Sequence, residues 1–192
     1  AAGGLDKRIQ ALLADLDVDN IEALTSAGST IRKWVLETPL PDKLMRAVSA
    51  AWEEMSDGAD ITVAVRSSAT AEDLPDASFA GQQETYLNVQ GAAAVLEAVK
   101  RCWASLWTAR AIGYRTRHGI DQDAVSLAVV VQMRVYAEVA GILFTANPVT
   151  GARSEAMISA AWGLGEAVVG GLVTPDSLTV DKVTGEVLAR ET

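Results

Sequence analysis

An arginine followed by hydroxyl side chains ends a short apolar stretch near residue 60. Residues 63–70 read VAVRSSAT, with Arg66 at the centre. A guanidinium presents a rigid fork of N–H donors that matches the oxygens of a phosphate. Ser67, Ser68 and Thr70 supply short additional donors for the same anion. The segment therefore indicates a phosphate-binding site.

The same residues also fit a structural role. Thr70-x-x-Asp73 matches the capping box that begins many helices, and Arg66 lies close in sequence to Glu72 and Asp73 as ion-pair partners. These residues alone leave both interpretations open.

Two later positions would suit a ligand but have ordinary explanations too. Gly81 precedes a predicted strand that contains Thr85, and a glycine there permits close approach of the backbone to a ligand or simply forms a turn. Gln132 interrupts an apolar strand. Because an unpaired buried amide costs about 1–3 kcal/mol, we expect Gln132 to bind either backbone groups or a nucleotide base.

Other familiar chemistries receive little support. The glycine-rich loop 163–171 surrounds Glu166 but has Val168 where a dinucleotide fingerprint needs a small residue, and it lacks the lysine of a P-loop. Cys102 and His118 would lie about 24 Å apart along one predicted helix, too far for a catalytic pair. The sequence identifies no catalytic residue and no metal site.

Composition narrows the class of protein further. The 192 residues carry 16 Lys and Arg against 25 Asp and Glu, a net charge of −9, which argues against general binding of nucleic acid or anionic membranes. No apolar run reaches the roughly 18 residues of a membrane helix. A single cysteine fits a reducing compartment, so we expect a cytoplasmic protein. Both ends are expected to be cuts in a longer polypeptide.

Apolar spacing predicts the elements that hold these residues. We expect a helical lobe over residues 1–58 and, over 59–192, a sheet lobe truncated at both ends. The class is α+β, with a mixed, largely antiparallel sheet and one long helix. The predicted helices are one through Leu5–Leu16, then 20–27 ending at Gly28, 30–37, 41–55 and 91–118. The predicted strands are 61–65, 83–89, 126–135, 140–145, 156–162 and 177–182.

Several motifs in the same order resemble one family. VAVRSSATAEDLP at 63–75 and ASFAGQQET at 77–85 are similar to the signature of the PEP-utilising dikinases, which include phosphoenolpyruvate synthase, pyruvate phosphate dikinase and rifampicin phosphotransferase. CWASL at 102–106, GILFT at 141–145 and GLGE at 163–166 extend the resemblance. It implies an ATP-grasp fold that binds ATP.

The resemblance also implies roles for individual residues. Arg66 resembles the arginine that binds the triphosphate, Gly81 and Thr85 resemble residues lining the phosphate and ribose side of the cleft, and Gln132 resembles a nucleotide contact. The family splits ATP to AMP and phosphate and passes a phosphoryl group through a histidine on a separate swivelling domain. The acceptor is then pyruvate or, in the alternative, a rifamycin. Glu166 lies in a matching motif without an assigned role.

The sequence departs from the family pattern in three places. The phosphate-binding lysine, the ligands of Mg²⁺ and the phosphohistidine motif are absent from residues 1–192. We therefore expect an ATP-binding fragment that is inactive alone, whose partners are ATP and the remaining domains of its own polypeptide. A non-catalytic structural or interaction module is the alternative of another class.

Overall fold

The computed structural model describes residues 4–69, 73–74, 77–78, 84–123 and 125–191. The chain divides into two compact units, Ala1–Arg134 and Val135–Thr192. The helices are α1 (Leu5–Leu13), α2 (Ile21–Glu37), α3 (Asp42–Ser56), α4 (Ala92–Ser105), α5 (Ala109–Arg117) and α6 (Gly165–Val169). The strands are β1 (Val63–Ala69), β2 (Asp73–Leu74), β3 (Ala77–Ser78), β4 (Thr85–Val89), β5 (Leu127–Met133), β6 (Val139–Phe144), β7 (Glu155–Trp162), β8 (Asp176–Asp181) and β9 (Val187–Glu191).

The first unit is built on an antiparallel sheet of three strands in the order β4-β1-β5. Strand β1 is central, and Val63 and Val65 are fully buried in it. They pack against α4 through Val95, Val99 and Cys102. Since successive strand residues point to opposite faces, this packing leaves the alternate residues of β1 on the other face of the sheet.

A second apolar cluster joins helices α1, α2 and α5. Its buried members are Ile9, Leu24, Ile31 and Ile112. The predicted helical start of the chain therefore packs on the helices that follow the first strands. The predicted boundary between a helical lobe and a sheet lobe at residue 58 stays a prediction. The boundary between the two compact units lies at a different place, between residues 134 and 135.

The prediction that a helix stops at Gly28 is wrong. Helix α2 runs unbroken from Ile21 to Glu37, with Gly28 buried inside it. A β-carbon on Gly28 would lie 2.9 Å from the carbonyl oxygen of Trp107 and 3.0 Å from the nitrogen of Ala109. The glycine therefore serves close packing of the link between α4 and α5 against α2.

The single long helix predicted for 91–118 is also wrong. Helix α4 ends at Ser105 and α5 begins at Ala109, where the Thr108 side chain accepts a hydrogen bond from the Ala111 N–H. That bond is a typical N-cap and begins a new helix. Both helices pack on α2, and α4 packs in addition on α3 and on the sheet.

Arg115 fixes this break from inside the protein. Its side chain is 1% exposed and donates to the Leu106 carbonyl oxygen at 2.6 Å and to Gln122 Oε1 at 2.6 Å. The guanidinium also lies 5.2 Å from the centre of the Trp107 ring. Burial lowers the pKa of Arg115 to about 10, so the group stays charged at neutral pH.

The second unit is an antiparallel sheet in the order β6-β7-β8-β9, which follows the order of the sequence. Asn147 closes the turn before β7, because its side chain accepts from the Val149 and Thr150 N–H groups. Asp181 does the same for Val183 and Thr184 before β9. Both turns therefore join neighbouring antiparallel strands of this sheet.

The α+β class with antiparallel sheets is confirmed, and the ATP-grasp assignment stays a prediction. The strands predicted after residue 120 occur within a few residues of their expected limits. In the part of the chain that the structure describes, no helix is long and apolar enough to cross a membrane.

Candidate functional site

Arg66 and Thr85 lie directly opposite each other on neighbouring strands. The register pairs Arg66 of β1 with Thr85 of β4 on one side and with Val130 of β5 on the other. Directly paired residues of antiparallel strands share a face and have β-carbons about 4.5–5.5 Å apart. Arg66 therefore stands in the middle of a row between a hydroxyl and an apolar side chain.

Gln132 belongs to the next row of the same face. It pairs with Ala64, two residues from Arg66 on β1, so it stands diagonally from Arg66 at a β-carbon distance of about 7–8 Å. Ser68, paired with Ala128, extends the face in the opposite direction. We call this surface the exposed face, defined by Arg66, Ser68, Thr85, Val130 and Gln132.

The side chains of the exposed face are all accessible, Val130 being 49% exposed. This corrects the expectation that Gln132 is a buried amide in need of an internal partner. The apolar neighbours Val129 and Val131 point to the core instead. The Gln132 side chain is therefore available to a ligand, as donor and as acceptor.

Ser67 does not share a face with Arg66, contrary to the expectation that it binds the same anion. It is 6% exposed, and its hydroxyl donates to the Glu84 carbonyl oxygen at 3.3 Å. The Ser67 N–H donates to the same oxygen at 3.2 Å. Strand alternation explains the difference, because neighbours of Arg66 in β1 must point the other way.

The electrostatics of the exposed face favour an anion. Arg66 is its single charged member, and no carboxylate among the described side chains lies within ion-pair distance of it. The serine and threonine hydroxyls and the Gln132 amide add neutral donors. One cation with several donors on a surface without carboxylates can bind a phosphate even in a chain of net charge −9.

The other positions singled out in the sequence lie either outside the described residues or elsewhere in the fold. Gly81, Thr70 and Glu72 lie outside the described residues. Glu166 is exposed in the first turn of the five-residue helix α6, in the second compact unit. Cys102 lies inside α4 and His118 caps α5, where His118 stacks on Tyr114.

Val130 was not predicted as a site residue. It is an apolar side chain in the centre of the exposed face, next to Arg66. The sequence carried no signal for it, because Val130 lies within the apolar run 127–131 and only the pairing of β5 with β1 shows which face it occupies. An accessible valine beside a cation suits a ligand with an apolar part next to a charged part.

The described residues do not fit a resident magnesium site. No group of three or more His, Cys, Asp or Glu side chains comes together among them. Mg²⁺ prefers carboxylate oxygens, and the exposed face has none.

Comparison with known proteins identifies relatives in two activity classes. The chain is 50% identical over 182 residues to phosphoenolpyruvate synthase of Pyrococcus furiosus and 50% identical over 188 residues to a probable phosphoenolpyruvate synthase of Methanocaldococcus jannaschii, covering 93% and 96% of this chain. It is 51% identical over 186 residues, 97% of this chain, to rifampicin phosphotransferase of Streptomyces sviceus. The chain spans 22%, 16% and 21% of the lengths of these relatives, respectively.

The sequence also matches a family over its whole length. Residues 1–192 match the family described as pyruvate phosphate dikinase, AMP/ATP-binding domain. The match includes the three strands that form the exposed face, and the resemblance to the dikinases predicted from the motifs is confirmed. This chain therefore belongs to the pyruvate phosphate dikinase family, through its AMP/ATP-binding domain.

Proposed function

We propose that the exposed face binds the phosphates of ATP, with Arg66 as the main phosphate ligand. The observation that carries the proposal is the row Thr85–Arg66–Val130, which sets a hydroxyl, a guanidinium and an apolar side chain side by side. Family membership supports ATP as the anion. The charge and the hydroxyl suit a phosphate, and Val130 suits the less polar part of a nucleotide.

Each side chain has a distinct role in this proposal. Arg66 donates two N–H groups to phosphate oxygens, which a lysine in its place would not do in the same geometry. Thr85 donates its hydroxyl to a phosphate or ribose oxygen. Gln132, about one row away, contacts the ribose or base, and Gly81 approaches the phosphates with its backbone.

The wider proposal concerns the whole protein. We infer that it splits ATP to AMP and phosphate and passes a phosphoryl group through a phosphohistidine on another domain to pyruvate, giving phosphoenolpyruvate. Transfer of this kind depends on positioning and on neutralising charge with several cations and a metal. The single arginine of the exposed face cannot neutralise the charge of the transition state alone. Residues 1–192 therefore bind ATP without turnover, and Mg²⁺ is held by residues elsewhere.

A rifamycin as acceptor is the second candidate. The observation in its favour is that the rifampicin phosphotransferase matches the chain as well as the phosphoenolpyruvate synthases do, at 51% against 50% identity. Equal similarity in this domain is expected when the acceptor is bound elsewhere. Supplying pyruvate or a rifamycin to the complete protein and measuring AMP formation distinguishes the two.

The role of Arg66 is tested by calorimetric titration with Mg-ATP. We expect Arg66→Ala to weaken binding more than tenfold, and Arg66→Lys to weaken it less, because lysine keeps the charge and loses the fork. Arg46→Ala is the matched control, since Arg46 is an exposed arginine on α3, away from the sheet.

Two results would contradict the proposal. Equal affinity of Arg66→Ala and the unaltered chain removes the phosphate role of Arg66. Equal loss in Arg46→Ala shows that the effect is one of net charge and does not depend on the exposed face.

A further inference from the structure

A groove runs along the outer edge of β4 and shares only Thr85 with the nucleotide contacts proposed above. It has a volume of about 510 Å³ and is lined by every residue from Thr85 to Gln90. Its other wall is α4, through Ala94, Glu97, Ala98 and Arg101. The volume lies in the range of cavities that bind ligands, roughly 300–1,000 Å³.

The floor of the groove is an unpaired strand edge. Strand β4 is the end of the three-stranded sheet, and no other described strand lies on its outer side. The backbone N–H and C=O groups of such an edge are a template for another strand. Because consecutive residues of β4 all line the groove, the groove follows the strand direction and suits an extended chain.

The edge available for pairing is short. The register between β1 and β4 shifts between Val63 and Val65, and Asn88 has a positive φ of 58°. This bulge interrupts the regular edge at Leu87 and Asn88, before pairing with β1 resumes at Val89. Backbone pairing alone over so few residues gives little affinity, so side-chain contacts with α4 must contribute.

The α4 wall offers one prearranged charge and a flat surface. The Arg101 guanidinium lies 4.3 Å from the centre of the Tyr86 ring, and no described carboxylate forms an ion pair with it. Of the two alanines on this wall, Ala94 is exposed and presents a methyl group to the groove, whereas Ala98 is only 4% exposed and packs in the core. Glu97 lies one turn before Arg101 on the same wall. Its carboxylate would repel an acidic group of a ligand, so such a group is favoured beside Arg101 and disfavoured beside Glu97.

We propose that this groove binds an extended peptide segment that adds to the edge of β4 and places an acidic side chain on Arg101. Such strand addition takes affinity from main-chain hydrogen bonds and specificity from alternate side chains. A small side chain of the segment faces the exposed Ala94.

Selection from a displayed library of random octapeptides tests the proposal. We expect sequences enriched on the unaltered chain to carry Asp or Glu at one fixed position, and sequences enriched on Arg101→Glu to carry Lys or Arg there. A synthetic peptide from the first set should bind Arg101→Glu at least tenfold more weakly. Arg46→Glu, with the same charge change on α3, should bind it unchanged.

Two measurements with that peptide locate the contact. In ¹⁵N spectra the largest shift changes should fall on 85–90, and exchange of the β4 amides should slow. The same peptide with its central amides N-methylated should lose binding, because it cannot form the ladder. Arg101→Gln replaces Arg101→Glu if the charge reversal lowers the melting temperature.

The proposal is overturned if no sequence is enriched on the unaltered chain. It is overturned equally if the charge preference is the same on Arg101→Glu, if the N-methylated peptide binds as well, or if the shift changes fall away from β4. Binding of Mg-ATP is measured separately with Arg66, so failure here leaves the proposed function untouched.

Discussion

Gly28 allows a direct test of the packing between α2 and the link that joins α4 to α5. Replacing a glycine within a helix by alanine ordinarily stabilises the helix by about 1 kcal/mol. At Gly28 the new β-carbon would lie 2.9 and 3.0 Å from two backbone atoms of the link, which cannot rotate away. Such overpacking costs about 1–3 kcal/mol. Because the helix gain offsets part of this cost, we expect Gly28→Ala to lower the free energy of unfolding by up to about 2 kcal/mol.

Gly113 in α5 is the matched control. A β-carbon there would lie 3.2 Å from Leu24 Cδ2 and 3.4 Å from Arg117 Nη1, which are the ends of flexible side chains. Gly113→Ala should therefore be as stable as the unaltered chain or up to about 1 kcal/mol more stable.

Thermal unfolding followed by circular dichroism compares the two variants. For a chain of this size 1 kcal/mol shifts the melting temperature by about 2–4 °C, so Gly28→Ala should melt up to about 8 °C lower than the unaltered chain. If Gly28→Ala melts at or above Gly113→Ala, the backbone contact does not limit the packing, and the explanation of the unbroken helix α2 is wrong.

Three further predictions concern single side chains. Arg115→Ala should lower the free energy of unfolding by about 3 kcal/mol in urea titrations, because it creates a cavity and leaves two hydrogen-bond acceptors without their donor. A change below about 1 kcal/mol would contradict the role of Arg115 at the helix break. Burial, with Glu84 nearby, raises the pKa of the Cys102 thiol to about 11. Alkylation of Cys102 at pH 8 should therefore be about a hundredfold slower in the folded than in the denatured chain, and equal rates by mass spectrometry would contradict this. Hydrogen bonds from Thr184 and Val183 hold the pKa of Asp181 below its usual value. Since the pKa of Asp181 is lower in the folded chain, this turn should be intact above about pH 4 and should loosen as the pH falls through the folded pKa. The chemical shift of the Thr184 amide should follow this loosening, and Asp181→Ala, which lacks the carboxylate, should show no such pH dependence; the same pH dependence in both would contradict the prediction.

The exposed face could be predicted only in part from the sequence. The polar side chains Arg66 and Gln132 indicate accessible positions, but the apolar Val130 on the same face and the buried Ser67 on the other break the pattern of polarity. Which side chains share a face is fixed by the alternation of side chains along a strand and by the register between strands. Ser67 was wrongly predicted to bind the same anion as Arg66 because the two residues are neighbours in sequence. The alternation of side chains along a strand places the two on opposite faces.

The helix errors have a different cause. A glycine after a helical stretch usually marks a helix end, and the sequence around Gly28 carries no sign that the link from Leu106 to Thr108 will pack against it. The break at Thr108 is a local cap, yet its direction depends on Arg115 and Gln122 further along. Both features depend on contacts between distant segments, which helical periodicity does not encode.

The register of β1 with β5 has a consequence for how the first unit folds. Its paired residues are about 60 to 70 positions apart in the chain, with α4 and α5 between them. Contacts between such distant segments form slowly, because a long loop must close before they stabilise anything. In the second unit each strand pairs with its neighbour in sequence, through short turns. We therefore expect Arg66 and Gln132 to come together in a late step of folding, after helices α4 and α5 have formed.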